Sequence, residues 1–304
     1  MWITATALGQ NLTSASISEL ARKTEKKEIT NAQFWRALGT GLGPIDCSDR
    51  CEVEHQDVAG FESGAGYDEL VMISRDDYSR ILLVHNTSDN SKVVAYVDPG
   101  ESRYNTAEGK AISSGGKVRL RIKTYPRGGT GIALFPSVWY ELYQKRFRRV
   151  LGVPSEGRML NADPAREFET RFIRRETVGE IEMLKFVYSV KFFSGIRVGS
   201  SVDMDLWQDE RIVTFSRKEG QAAFQFDLQR SETAKEFVDF IFSFDDTVGL
   251  KEDRTKYYRL LSDHLLEIAR SPRDRRREWL RQLLERERDI PSLEPARKAF
   301  ANAR

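Results

Sequence analysis

Cysteine and histidine are scarce in this 304-residue chain, which has Cys47 and Cys51 of the first and His55, His85 and His264 of the second. Two cysteines exclude a disulfide framework and fit a reducing compartment, so the sequons at Asn11 and Asn86 read as accidental. Nothing places His85 or His264 beside a serine or cysteine nucleophile, and a hydrolytic triad has no support. No apolar run approaches the ~20 residues that span a bilayer. The opening MWITATALGQNLTSAS has no basic head leading into a sustained apolar stretch, and there is no internal repeat or low-complexity segment. These absences predict a cytoplasmic globular protein with no membrane partner. A composition of 40% hydrophobic and 31% charged residues is enough to bury a core.

What is present is charge, sorted along the chain. The net charge is only +2, but residues 45–69 carry eight acids against one arginine, while residues 117–149 carry nine bases against the single acid Glu141. The acidic stretch suits a docking surface for a partner protein or a shield over a basic patch. The basic stretch points to a polyanion.

Patterning predicts an α+β fold with a β-rich, mainly antiparallel N-terminal domain over 1–152, a second α+β domain over 153–250 and a C-terminal helical extension over 251–304. A helix is expected over 16–38, ended by GTGLGP. The runs ELVMIS, RILLVHN, KVVAYVD, KVRLRIKTY and TGIALF read as short strands between turn-rich pieces. PSVWYELYQKRFRRVLG reads as a helix from Pro136 to Leu151, with Pro136 in its first turn and Gly152 as its stop, and GVPSEGRMLNADPA reads as a linker. Leu184, Phe186, Tyr188, Val190 and Phe192 alternate with polar residues as a strand does. A hairpin turning at Gly220 and a helix over 231–244 follow. In the last fifty residues Tyr257, Leu261, Leu265 and Ile268 make one helical face, and Ser271 and Pro272 are expected to open a second helix.

The sharpest pattern is KVRLRIK. Val118, Leu120 and Ile122 fall on one face of a strand, while Lys117, Arg119, Arg121 and Lys123 fall on the other. Those cations repeat every ~6–7 Å along the strand, close to the phosphate spacing of a nucleic-acid strand. Arg127 follows in a glycine-rich turn. The expected helix adds Lys145, Arg146, Arg148 and Arg149 beside Trp139, Tyr140, Tyr143 and Phe147. These nine cations are the expected nucleic-acid interface of a non-enzymatic protein with no cofactor. Binding to DNA or RNA should be electrostatic and largely sequence-independent.

Two other constellations suggest metal chemistry. Cys47, Cys51 and His55, spaced C-x3-C-x3-H, would share a strand face, with a fourth ligand to come from His85, His264 or a nearby acid. The two-residue knuckle of a structural zinc site is missing, and no metal is predicted. The segment FFSGIRVGSSVDMDLW resembles the nucleotidyltransferase superfamily, where a glycine-serine turn leads into a strand bearing two aspartates separated by one apolar residue. The resemblance covers about a tenth of the chain, and Gly199-Ser200 stands only three positions before Asp203. It implies an alternative reading: an enzyme holding magnesium or manganese on Asp203 and Asp205, with Asp227 as the third carboxylate. Finally, Trp279, Leu280, Leu283 and Leu284 form a narrow apolar strip on a charged helix, which predicts a homodimer packed through the C-terminal helices.

Overall fold

The computed structural model describes residues 16–30, 33, 52–58, 61, 65–75, 78–87, 91–98, 108–114, 117–123, 132–160, 163–194, 204–232, 237–238 and 251–303. It is mixed, with antiparallel sheets and a group of helices at the C-terminal end. Among the described residues no helix is long and apolar enough to cross a membrane. The chain divides into two compact units that are not contiguous in sequence. The first holds residues 1–126, 136–153 and 220–224; the second holds 127–135, 154–219 and 225–304, so the C-terminal helices belong with the second.

In the first unit, helix α1 (Ser16–Glu25) precedes a sheet in the order β1 (Glu52–Val58), β2 (Tyr67–Arg75), β3 (Tyr78–Asn86), β4 (Ser91–Val97). β2 and β3 are the inner strands, and Leu70, Val71, Ile81, Leu82, Leu83 and Val84 are all completely buried. Such continuous apolar runs are what a strand covered on both faces requires. One face packs against β5 (Glu108–Ser114), β6 (Lys117–Lys123) and the parts of β7 (Ile132–Tyr143) and β8 (Arg146–Met159) that lie in this unit. Val58, Leu70, Ile81, Leu83, Ala95, Leu120 and Ile122 form the core between them. Gly109 on β5 permits this approach, since a Cβ there would meet Ile81 Cδ1 at 2.9 Å. α1 contacts β1, β2 and β4.

The segment expected to be a helix from Pro136 to Leu151 is instead a β-hairpin. β7 and β8 are joined at Gln144 and Lys145, whose φ values of 48° and 59° are those of a type I′ turn. Neither residue is the asparagine or glycine that announces this turn, and Pro136 and Gly152 sit inside strands rather than at helix ends. The expected linker after Gly152 is also strand, because β8 runs on to Met159. The helix expected over 231–244 lies mostly outside the described residues, though Phe237 and Val238 are helical and buried.

In the second unit the strand order is β8, β9 (Ala165–Val178), β10 (Ile181–Phe193), β11 (Asp205–Lys218), β12 (Gln225–Phe226). The alternation read in β10 holds, with Leu184, Phe186, Tyr188, Val190 and Phe192 buried and Lys191 exposed. Phe186 packs edge-on to Phe172 and Phe215 at 5.5 and 5.6 Å between ring centres. On the same face Glu182 of β10 lies between two arginines. It accepts from Arg175 Nε on β9 and, at 2.6 Å, from Arg217 Nη2 on β11. Glu182 and Arg217 are each 7% exposed.

Among the described residues this unit also holds the helices α2 (Lys251–Leu260), α3 (Ser262–Arg270), α4 (Arg277–Arg286) and α5 (Glu294–Asn302). Trp279, Leu280, Leu283 and Leu284 are buried within the chain, so the strip expected to receive a second copy is already covered and is not a free dimer face. Its tryptophan donates Nε1–H to Asp163 Oδ1 at 2.9 Å, and Arg286 reaches Asp163 Oδ2 at 2.7 Å. Tyr257 and Tyr258 donate to the carbonyls of Pro164 and Asp163. Ser271 and Pro272 do not open α4, which begins at Arg277 after Asp274 has accepted the Arg276 backbone N–H at 2.8 Å.

His264 on α3 stacks on Trp207 at 4.9 Å, and Trp207 stacks on Phe192 at 5.0 Å. The imidazole Nε2 lies 3.0 Å from Asp209, and Arg211 is 4.0 Å from the same carboxylate. The hydrogen bond to His264 holds the Asp209 carboxyl below its ordinary range, against the opposing effect of burial. A folded pKa below the unfolded value of about 3.9 means the ionised carboxylate favours the folded state. That contribution is complete above the unfolded value and disappears as pH falls through the folded one. Asp209→Asn should therefore lower the urea midpoint at pH 6, and the deficit should shrink as the pH is taken below about 4. A deficit that does not shrink on acidification would contradict the pairing.

Candidate nucleic-acid interface

β6 is the centre of the basic surface, and its register fixes the neighbours. Lys110 of β5 lies directly opposite Arg121, and Trp139 of β7 lies opposite Arg121 on the other side. The two-residue turn at Gln144–Lys145 sets Tyr143 opposite Arg146 and hence Glu141 opposite Arg148. One sheet face thus carries Lys110, Lys117, Arg121, Lys123, Arg146 and Arg148. The other carries Val118, Leu120 and Ile122 and turns to the core.

The four-cation row of β6 is not uniformly available. Arg119 is 1% exposed. Its guanidinium reaches Glu141 Oε1 with Nε at 2.7 Å and Nη2 at 2.6 Å, and lies 5.4 Å from the ring centre of Phe224. Phe224 is held there by its own N–H, which donates to the Val150 carbonyl at 2.8 Å. Arg119 is therefore half of a buried ion pair, and its charge is spent on the one acid of the basic stretch.

The hairpin also redistributes the cations expected on a helix. Arg146 and Arg148 join the basic face, Lys145 sits in the exposed turn, and Arg149 falls on the opposite face. Arg127 lies outside the described residues. Of the four aromatics, Trp139 is buried, while Tyr140 and Phe147 pack edge-on at 6.4 Å beside the core. Tyr143 is 52% exposed, and the Arg148 guanidinium lies 4.6 Å from its ring centre.

Two features of this face suit an anion. Lys110 and Arg121 are like charges directly opposite each other across adjacent strands, an arrangement that destabilises a sheet unless a counter-charge sits over it. The Nε atoms of Arg121 and Arg148 are buried and have no hydrogen-bond acceptor among the described residues. A buried donor left unmade costs ~1–3 kcal/mol or more when charged, and a phosphate oxygen is the acceptor that matches a guanidinium edge. Lys110 was not singled out by patterning. The signal for it in the sequence is Gly115-Gly116 between two strand-like runs, a pair that favours a tight hairpin and so would set Lys110 beside Arg121.

The rival carboxylates are not brought together. Asp203 lies outside the described residues. Asp205 opens β11, is largely exposed and pairs with Lys191 at 2.8 Å. Asp227 lies just past β12, where its N–H donates to the Thr214 carbonyl. Thr214 is nine residues along β11 from Asp205, or roughly 30 Å of extended strand. Asp227 instead accepts from Ser216 Oγ and from Arg230, and caps a short 3-10 turn. No single metal ion bridges Asp205 and Asp227.

The acidic stretch is likewise only partly a surface. Asp68 is 2% exposed and accepts from the Phe61 N–H at 2.9 Å, with His85 Nδ1 at 2.7 Å. Glu69 is completely buried and accepts from Asn86 Nδ2, so the expected docking surface loses two of its acids. In the second unit a cleft of about 480 Å³ is lined by Glu156, Glu167, Glu169, Arg158 and Lys191 among others. Acids and bases alternate there and present no single sign to a polyanion. No family model matches the chain, and no curated protein sequence is similar to it.

Proposed function

We propose that this chain is a non-enzymatic, cytosolic nucleic-acid-binding protein that holds the phosphate backbone on the face formed by β5, β6 and β8. The observation that carries this reading is the pair of guanidinium groups, Arg121 and Arg148, whose buried Nε donors have no acceptor among the described residues on a face that also sets Lys110 against Arg121. Lys117, Lys123 and Arg146 extend the same face, and Tyr143 adds an exposed ring at its end. Arg119 is not among the contacts, because Glu141 already neutralises it.

Recognition of this kind is electrostatic, so affinity should fall steeply with salt and vary little with sequence. The test is fluorescence anisotropy with labelled single- and double-stranded DNA and RNA over a salt series, on the wild type and on Arg121→Gln/Arg148→Gln. The double variant should bind about tenfold or more weakly. Its slope of log affinity against log salt should be shallower by about 1.5–2, the loss of two phosphate contacts. Wild-type protein that binds none of the four nucleic acids at low salt, or a double variant with an unchanged slope, would overturn the proposal.

A further inference from the structure

On the opposite side of the β1–β4 sheet from the core shared with β5 and β6, three metal-ligating side chains converge. His55 and Asp57 are two residues apart on β1 and so project from the same face. Glu69 on β2 stands directly opposite Asp57 in the register. One ring nitrogen and two carboxylate oxygens from these residues lie within 4.8 Å of one another.

Two neighbouring strands supplying ligands at i, i+2 and the facing position is a rigid way to aim three donors at one point. Ligands of one ion with bonds of about 2.1 Å lie no more than about 4.2 Å apart. The three donors therefore need to close by only a few tenths of an ångström.

The cluster is more than a group of acids at a surface. The Glu69 side chain is 0% exposed, and its Oε1 has no hydrogen-bond partner among the described residues. The other oxygen accepts from Asn86 Nδ2 at 3.1 Å, which fixes the carboxylate and leaves Oε1 aimed at His55 Nδ1, 3.6 Å away. This is the arrangement of a ligand oriented by an outer hydrogen bond. Asp57 and Glu69 are like charges directly opposed across two strands, which calls for a cation between them. The cation present is Arg22 of α1, at 3.6 Å from Glu69 and 3.9 Å from Asp57. Both distances are too long for a hydrogen bond. Arg22 offsets the charge without supplying the close contact that Oε1 lacks.

We propose that His55, Asp57 and Glu69 form a binding site for a divalent first-row transition-metal ion, with Arg22 as the cation that competes for the two carboxylates. One imidazole and two carboxylates make a donor set harder than thiolate, suited to manganese or zinc, with water completing the coordination. Asp57 and His55 leave the site open to solvent, with side chains 71% and 20% exposed.

The test uses the full chain and Mn(II), a hard ion with little affinity for Cys47 and Cys51. Calorimetry, with the Mn(II) electron paramagnetic resonance signal as a second readout, should show one saturable site per chain. Asp57→Asn and Glu69→Gln should each weaken it by about tenfold or more, and Arg22→Gln should tighten it. If Glu69→Gln fails to fold, the largely exposed Asp57 still decides the question. No saturable Mn(II) uptake, uptake that survives Asp57→Asn, or an Arg22→Gln variant that binds no tighter than the wild type overturns the site. None of these outcomes depends on nucleic-acid binding.

Discussion

Glu182→Ala should destabilise the protein by about 3–5 kcal/mol, because it takes the shared carboxylate from the largely buried charges of Arg175 and Arg217. The carboxylate accepts from both guanidinium groups, and Glu182 and Arg217 are almost completely buried. Removing one partner from such a group is far more costly than removing the whole group. A triple replacement, Arg175→Met/Glu182→Leu/Arg217→Met, takes out all three charges and fills their volume with apolar atoms, and should recover most of the loss. Urea denaturation of the wild type, single and triple variants measures both effects. A Glu182→Ala protein within about 1 kcal/mol of the wild type would mean that the two arginines find other acceptors.

The second large effect concerns Glu141, the single acid of the basic stretch. Glu141→Gln leaves the Arg119 guanidinium buried against Phe224 with a neutral partner, and should cost about 3 kcal/mol of stability. Under the proposed function the same change adds net positive charge to the phosphate-binding face, where Glu141 lies beside Arg119. Nucleic-acid affinity at low salt should therefore hold or rise while the protein becomes easier to unfold. Anisotropy and denaturation on one preparation separate the two. A fall in affinity without a fall in stability would mean that Glu141 serves nucleic-acid binding rather than the holding of Arg119.

The strands whose signal is alternation were legible in the sequence, as β6 and β10 show. What alternation reports is which residues share a face. It does not report what covers that face, and Arg119 shows the difference: its partner Glu141 is 22 positions away, and the ring above it belongs to Phe224. Distance along a strand is also invisible to the pattern. Asp205 and Asp227 look like neighbours in a candidate triad, yet most of the length of β11 separates them. The hairpin at 136–153 is hidden in the sequence for a local reason, since Gln144 and Lys145 adopt positive φ without the residue types that advertise it. The metal-ligating cluster was half visible. His55 stands out by its spacing from Cys51, but Asp57 and Glu69 meet only through the pairing of β1 with β2.

The interleaving of the two units sets limits on how the molecule can be divided. The first unit takes its last five residues, Gly220–Phe224, from a stretch that lies between two long segments of the second unit in sequence. A fragment ending near residue 152, where composition alone would place the cut, lacks Phe224 and with it the ring over Arg119 and the backbone donor to Val150. Neither unit can be excised as one continuous piece of chain. Domain dissection by truncation would thus remove a support of the basic face before it tested what that face binds.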